Sequence, residues 1–167
     1  MKLDESKLYG GILMSVSRIV KQRFTVIGIE GSTKDGSGFI EKLWNEANSR
    51  FAEITDLCKR DESGNFVGFW GAMSDFTRSF KPWEGFSQGL YLAGAECEDE
   101  SEAPSGWTKW VVPSFEYLCF DCKEFEFGQA IDYVKDNGFS IAGAVHDFTD
   151  PHTGKGYICI PIKKLDM

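Results

Sequence analysis

Gly71-Ala72-Met73-Ser74-Asp75-Phe76 returns later in the chain as Gly143-Ala144-Val145-His146-Asp147-Phe148. The shared pattern is Gly-Ala-apolar-polar-Asp-Phe, and a repeat this short decides a fold only if its surroundings repeat as well. They do. Upstream of the first copy, Phe24-Thr25-Val26-Ile27-Gly28-Ile29 is a β-branched run with the composition of a strand. Ile40, Leu43, Trp44, Ala47, Phe51, Ile54 and Cys58 then recur at spacings of three and four, predicting a helix with Trp44 on its core face. Ser37 is its expected N-cap. Past the first copy, Gly89-Leu90-Tyr91-Leu92-Ala93-Gly94-Ala95-Glu96 is a further strand.

The second half has the same order. Residues 107–120 predict a strand interrupted near Pro113. Phe127, Ala130, Ile131 and Val134 give a short helix face, stopped by Asn137-Gly138. Ser140 to Phe148 and Tyr157 to Ile162 are the closing strands, and Ile12 to Val20 is an extra strand ahead of the first unit. The expectation is therefore an α+β fold in a single domain over residues 1–167. Two strand-helix-strand-strand units, about 23–97 and 107–163, form an antiparallel sheet with both helices on one face. Two helices cannot cover so wide a sheet, and the groove left between them is the default place for a ligand.

Composition narrows the function. The 167 residues carry a net charge of −8, which argues against nucleic acid and against an anionic membrane as partners. No apolar run approaches the roughly 20 residues of a membrane span. The N-terminal residues carry both signs of charge, unlike a signal peptide. Five cysteines without a regular framework fit reduced thiols in a cytoplasmic protein. Aromatic residues make up 14% of the chain, more than a small core needs, so part of that surface is expected to line a cavity.

The candidates for that lining are Trp70, Trp83, Tyr91, Trp107, Trp110, Phe115 and Tyr117, joined by Met73, Asp147 and Phe148 from the repeated motif. Aromatic faces stack on flat ligands and attract cations. Phe69 and Trp70 point to opposite faces, so one of them belongs to the core, and Trp107 and Trp110 share a face only across a bulge. For general acid–base chemistry the candidates are Glu116, Glu96 and His146, with Asp147 beside them. Glu116 stands between Phe115 and Tyr117, where an apolar setting would raise its pKa; the plain alternative is a carboxylate at a sheet edge. His146 reads equally as a hydrogen-bonded structural histidine.

Other chemistries lack their signatures. Cys119-x-x-Cys122 lies in a strand rather than at a helix N-terminus, and with two histidines in the chain it makes no metal site. Gly31 to Gly38 lacks the spacing of a phosphate loop, and Gly-x-Ser-x-Gly is absent. No cofactor and no metal are expected.

Tyr91-Leu92-Ala93-Gly94-Ala95-Glu96, the Pro113-to-Phe120 strand with Tyr117, and the closing Ile160-Pro161-Ile162-Lys163 resemble the GyrI-like domain, from about residue 11 to residue 164. That domain is also the effector-binding half of multidrug-responsive transcription regulators. The resemblance implies a two-lobed α+β domain holding bulky, often aromatic or cationic compounds between its lobes. Residues 1–22 are too few for a helix-turn-helix, so the likeness is to stand-alone members. Thr149 stands where relatives carry a carboxylate, with Asp147 as the nearest substitute. The tryptophan-rich stretches 68–74 and 106–110 are similar to a stand-alone subfamily that hydrolyses cyclopropane-bearing, DNA-alkylating antibiotics in an aromatic cage. Two functions follow as expectations: hydrolysis of such a xenobiotic, or its sequestration unchanged. A protein-interaction module is the third.

Overall fold

The computed structural model describes residues 2–9 and 12–166, with side chains from Val16 onward. In chain order the elements are β1 (Lys2–Tyr9), β2 (Ile12–Lys21), β3 (Phe24–Ser32), α1 (Phe39–Ser49), β4 (Phe69–Ser74), β5 (Leu90–Cys97), β6 (Thr108–Val112), β7 (Phe115–Asp121), α2 (Phe127–Asp136), β8 (His146–Thr149) and β9 (Gly156–Lys164). The strands form one sheet in the order β1-β2-β7-β9-β8-β4-β5-β3-β6. Every pairing among them is antiparallel.

The order reads β7-β9-β8 on one side of the β8–β4 junction and β4-β5-β3 on the other. β2 runs into β3 yet pairs with β7, and β6 runs into β7 yet pairs with β3. Each half thus lends its leading strand to the far edge of the other, while the β4–β8 pairing joins the halves into one sheet.

Several local expectations shift. The first helix ends at Ser49 and gives way to a short 3₁₀ turn at Phe51–Glu53, so Cys58 lies beyond it. Its backbone forms an isolated antiparallel β-bridge with that of Cys97, and both thiols are free. The apolar spacing continued past the helix because the turn keeps the same face inward. Ser37 does not cap: the N-cap is Gly38 at φ 77°, with no side-chain bond, while Ser32 caps the 3₁₀ turn at Thr33–Asp35. The strand expected over 107–120 is two strands with different neighbours, because Pro113 offers no N–H to a ladder. Of the segment from Ser140 to Phe148, only the end from His146 pairs; the Ala142 and Ala144 N–H groups donate instead to the carbonyls of Pro161 and Phe80. The second helix stops as read, with Gly138 at φ 80° and its N–H on the Lys135 carbonyl.

Both helices cover the same face of the sheet. α1 packs on Ile27, Ile29, Tyr91 and Ala93, and α2 on Leu118, Phe120, Ile158 and Ile160. The opposite face holds a separate core of Phe24, Val26, Trp70, Trp110, Phe115 and Tyr117. β6 and β7 stand far apart in the strand order, so their side chains meet there because the sheet curls around this core. β5 is buried on both faces, and its residues other than Glu96 are accordingly apolar or aromatic.

Candidate functional site

The two copies of the hexapeptide meet where β4 pairs with β8, Gly71 opposite Asp147 and Trp70 opposite Phe148. Gly71 is required here by its lack of a side chain: a Cβ would lie 1.8 Å from the Tyr91 hydroxyl oxygen. Through that gap the Tyr91 side chain crosses β4, and its hydroxyl donates to Asp147 Oδ2 at 3.0 Å. The same oxygen accepts from Trp44 Nε1 at 3.0 Å. A hydrogen-bonded chain therefore runs from α1 through β5 to β8.

Burial raises the pKa of the Asp147 carboxyl above the usual carboxylate value, and the Tyr91 hydrogen bond partly opposes it. Tyr91 is held far on the protonated side, by burial first and by the Asp147 charge second, so its hydroxyl stays a donor. Beside this chain lies a cavity of about 360 Å³ with walls of Trp44, Phe51, Phe69, Trp107 and Thr149. Trp44 belongs to both the wall and the chain. Trp107 is fixed by its indole N–H on Glu53 Oε1 at 3.1 Å, with the Arg50 guanidinium 5.4 Å from its ring centre. Midway between the helices, Met73, Trp83, Phe86, Phe127 and Val145 leave only about 20 Å³. The free space is on the α1 side of the seam.

Of the residues expected to bind a ligand, Trp107 lines the helix-face cavity, and Met73 and Trp83 border the small gap between the helices. Tyr91 and Asp147 stand beside the cavity, bonded to each other. Trp70 and Phe148 sit on the opposite face, where they border a different cavity. Trp110, Phe115 and Tyr117 are buried in the curled core, and the Trp110 indole donates to Glu30 Oε1 at 2.8 Å.

The three residues expected to act as acid or base are kept apart. Glu116 does not sit in an apolar pocket, because neighbours on a strand point to the other face. Phe115 and Tyr117 enter the curled core, while Glu116 pairs with Arg18 at 2.5 Å. Glu96, on the curled-core face, pairs with Lys21 at 3.0 Å. His146 is fully buried: its Nδ1 accepts the Met73 backbone N–H at 3.0 Å, and burial pushes its pKa down to about 3. It is a neutral imidazole that completes the β4–β8 ladder where backbone pairing ends. Among the described residues no group of three or more His, Cys, Asp or Glu is placed to hold a metal ion, and no helix is long and apolar enough to cross a membrane.

Sequence reasoning missed Trp44, Phe51, Phe69 and Thr149 as cavity walls. For Trp44 a signal existed: a buried indole N–H needs an acceptor, and helical spacing says nothing about where that acceptor is.

No family model matches this sequence, and no curated protein matches it. The fold is similar to that of SAV2435 bound to tetraphenylphosphonium, with a TM-score of 0.62 at 13% identity over 90% of this chain and 94% of that one. It is similar to an integron cassette protein from the mobile metagenome of Vibrio cholerae, with a TM-score of 0.51 at 14% identity over 97% and 99%. EcmrR, in a DNA complex, gives a TM-score of 0.58 at 12% identity over 90% of this chain, which spans 57% of that longer chain. At these identities the likeness is one of fold.

Proposed function

We propose that the protein is a GyrI-like binding domain that holds a bulky, hydrophobic aromatic cation in the helix-face cavity without converting it. The observation that carries this is the largely buried Asp147 carboxylate, tied through Tyr91 to Trp44 and so to the cavity wall. A carboxylate behind aromatic faces favours a cation with an apolar shell, since ring quadrupoles and the negative charge attract in the same direction. The neighbour bound to tetraphenylphosphonium, a compound of that class, supports the reading. So does the strand order, β7-β9-β8 against β4-β5-β3, which fits two duplicated units meeting at the cavity. Binding is preferred to hydrolysis of an antibiotic because Glu116 and Glu96 are each paired with a cation and His146 is buried and neutral.

Calorimetric titration with tetraphenylphosphonium tests it. One saturable site is expected, weakened about tenfold in Asp147→Asn by loss of a charged partner, with the compound recovered unchanged. A flat titration, or equal affinity in the variant, removes the proposal.

A further inference from the structure

A second cavity, of about 400 Å³, opens on the sheet face away from the helices. That volume is in the range of small-molecule sites. Its apolar wall is set by register: Trp70 on β4 pairs with Phe148 on β8, and Phe148 with Tyr157 on β9. Side chains opposed across antiparallel strands share a face, so three neighbouring strands contribute one row of rings. Successive ring centres are 4.6 and 6.2 Å apart. Ile19 of β2 lines the same space, because the sheet curls.

Four charged side chains border the cavity: Lys21, Glu96, Lys59 and Asp150. Lys21 and Glu96 are closed on each other at 3.0 Å, with the Lys21 ammonium also 4.5 Å from the Phe24 ring centre. Asp150 is engaged within its own turn, where Oδ1 accepts the His152 N–H at 2.8 Å and the backbone bonds to Lys155 and Gly154. The Lys59 ammonium has no ion-pair partner among the described residues. Its backbone is nevertheless anchored, with its N–H on the Glu96 carbonyl at 2.9 Å and its own carbonyl accepting from Val67 at 3.2 Å. The four charges sum to zero, because N–H contacts orient the Asp150 carboxylate without cancelling its charge. Lys59 is the cation of the set without an ion-pair partner among the described residues.

We propose that this cavity is a second ligand site, for a flat aromatic carboxylate whose ring lies on the Trp70–Phe148–Tyr157 row and whose carboxylate meets Lys59. A charge-assisted hydrogen bond to an ammonium gives this pose its orientation, and the Lys21–Glu96 pair supplies no competing charge. The site is independent of the helix-face cavity, which lies across the sheet and favours the opposite sign.

Calorimetry with 2-naphthoate, and with 2-naphthylmethylamine as the probe of reversed charge, tests the proposal. Expected results are one saturable site for the carboxylate, at least tenfold weaker binding of the amine, and a loss of about tenfold in Lys59→Gln, a partly exposed position. Saturating tetraphenylphosphonium and Asp147→Asn should leave naphthoate affinity unchanged, and failure of phosphonium binding leaves this site standing. No saturable heat, equal affinity for the amine, an unaltered Lys59→Gln titration, or competition with the phosphonium would each overturn it.

Discussion

The Tyr91 hydroxyl reaches Asp147 Oδ2 at 3.0 Å by passing directly over Gly71, the residue paired with Asp147 across the β4–β8 junction. One strand of the first half and one of the second are thereby joined by a side-chain contact that depends on a missing Cβ.

Gly71→Ala places a methyl group 1.8 Å from the Tyr91 oxygen. The ring must move and the contact with Asp147 must break. Overpacking of this kind costs about 1–3 kcal/mol, and chemical denaturation should show a lower midpoint. An unchanged midpoint would mean that the seam accommodates the methyl group by a backbone shift.

Asp147 couples binding and stability to pH in opposite senses. Its folded-state pKa is raised above the unfolded value. Its contribution therefore favours folding at low pH and is lost as pH rises through the folded pKa. At neutral pH the charged carboxylate weakens the fold, so Asp147→Asn should melt no lower than the parent at pH 7. Phosphonium affinity should fall on acidification, as the carboxyl takes up its proton, and Asn should abolish that dependence. Titrations at several pH values, paired with melting curves, check both halves.

His146 should stay neutral from pH 8 to pH 4, because burial lowers its pKa to about 3. The unfolded chain takes up a proton near pH 6.5 while the native imidazole does not. The sign follows: stability present above pH 6.5 is lost as pH drops toward 3, by roughly 1 kcal/mol per pH unit. Nitrogen NMR of the ring should report protonated Nε2 and bare Nδ1, as the Met73 N–H donor requires. An imidazolium signal at pH 5 in folded protein would contradict the buried geometry.

Of the five thiols, Cys122 is exposed and the other four are buried. Burial pushes up the Cys122 thiol, whereas the Cys159 thiol is raised by its contact with Cys119, Sγ to Sγ 3.1 Å, and by burial. A disulfide reagent should titrate one thiol in native protein and five in denaturant, with the native signal absent in Cys122→Ser. A second fast-reacting native thiol would place one of the buried cysteines within reach of solvent.

The positions of α2 and its stop at Gly138 were written in local signals, as were the cores of β3, β5 and β9. Each depends on periodicity or on one conformational preference, and both act within a few residues. The repeated hexapeptide also marked the neighbourhood of the seam, because Gly71 and Asp147 are both motif positions. Which face each aromatic occupies was not local. Trp70 and Phe69 differ by one residue and by which side of the sheet they serve, and only the pairing of β4 with β8 assigns them. Glu116 seemed enclosed by Phe115 and Tyr117 in the linear chain, yet alternation sends it to Arg18. The exchange of leading strands, β2 to β7 and β6 to β3, curls the sheet and buries Trp110 and Tyr117 in a core that no single segment announces. Local chemistry fixed the elements and the motif. Long-range strand pairing, which carries no signature in any short window, decided which side chains face which cavity.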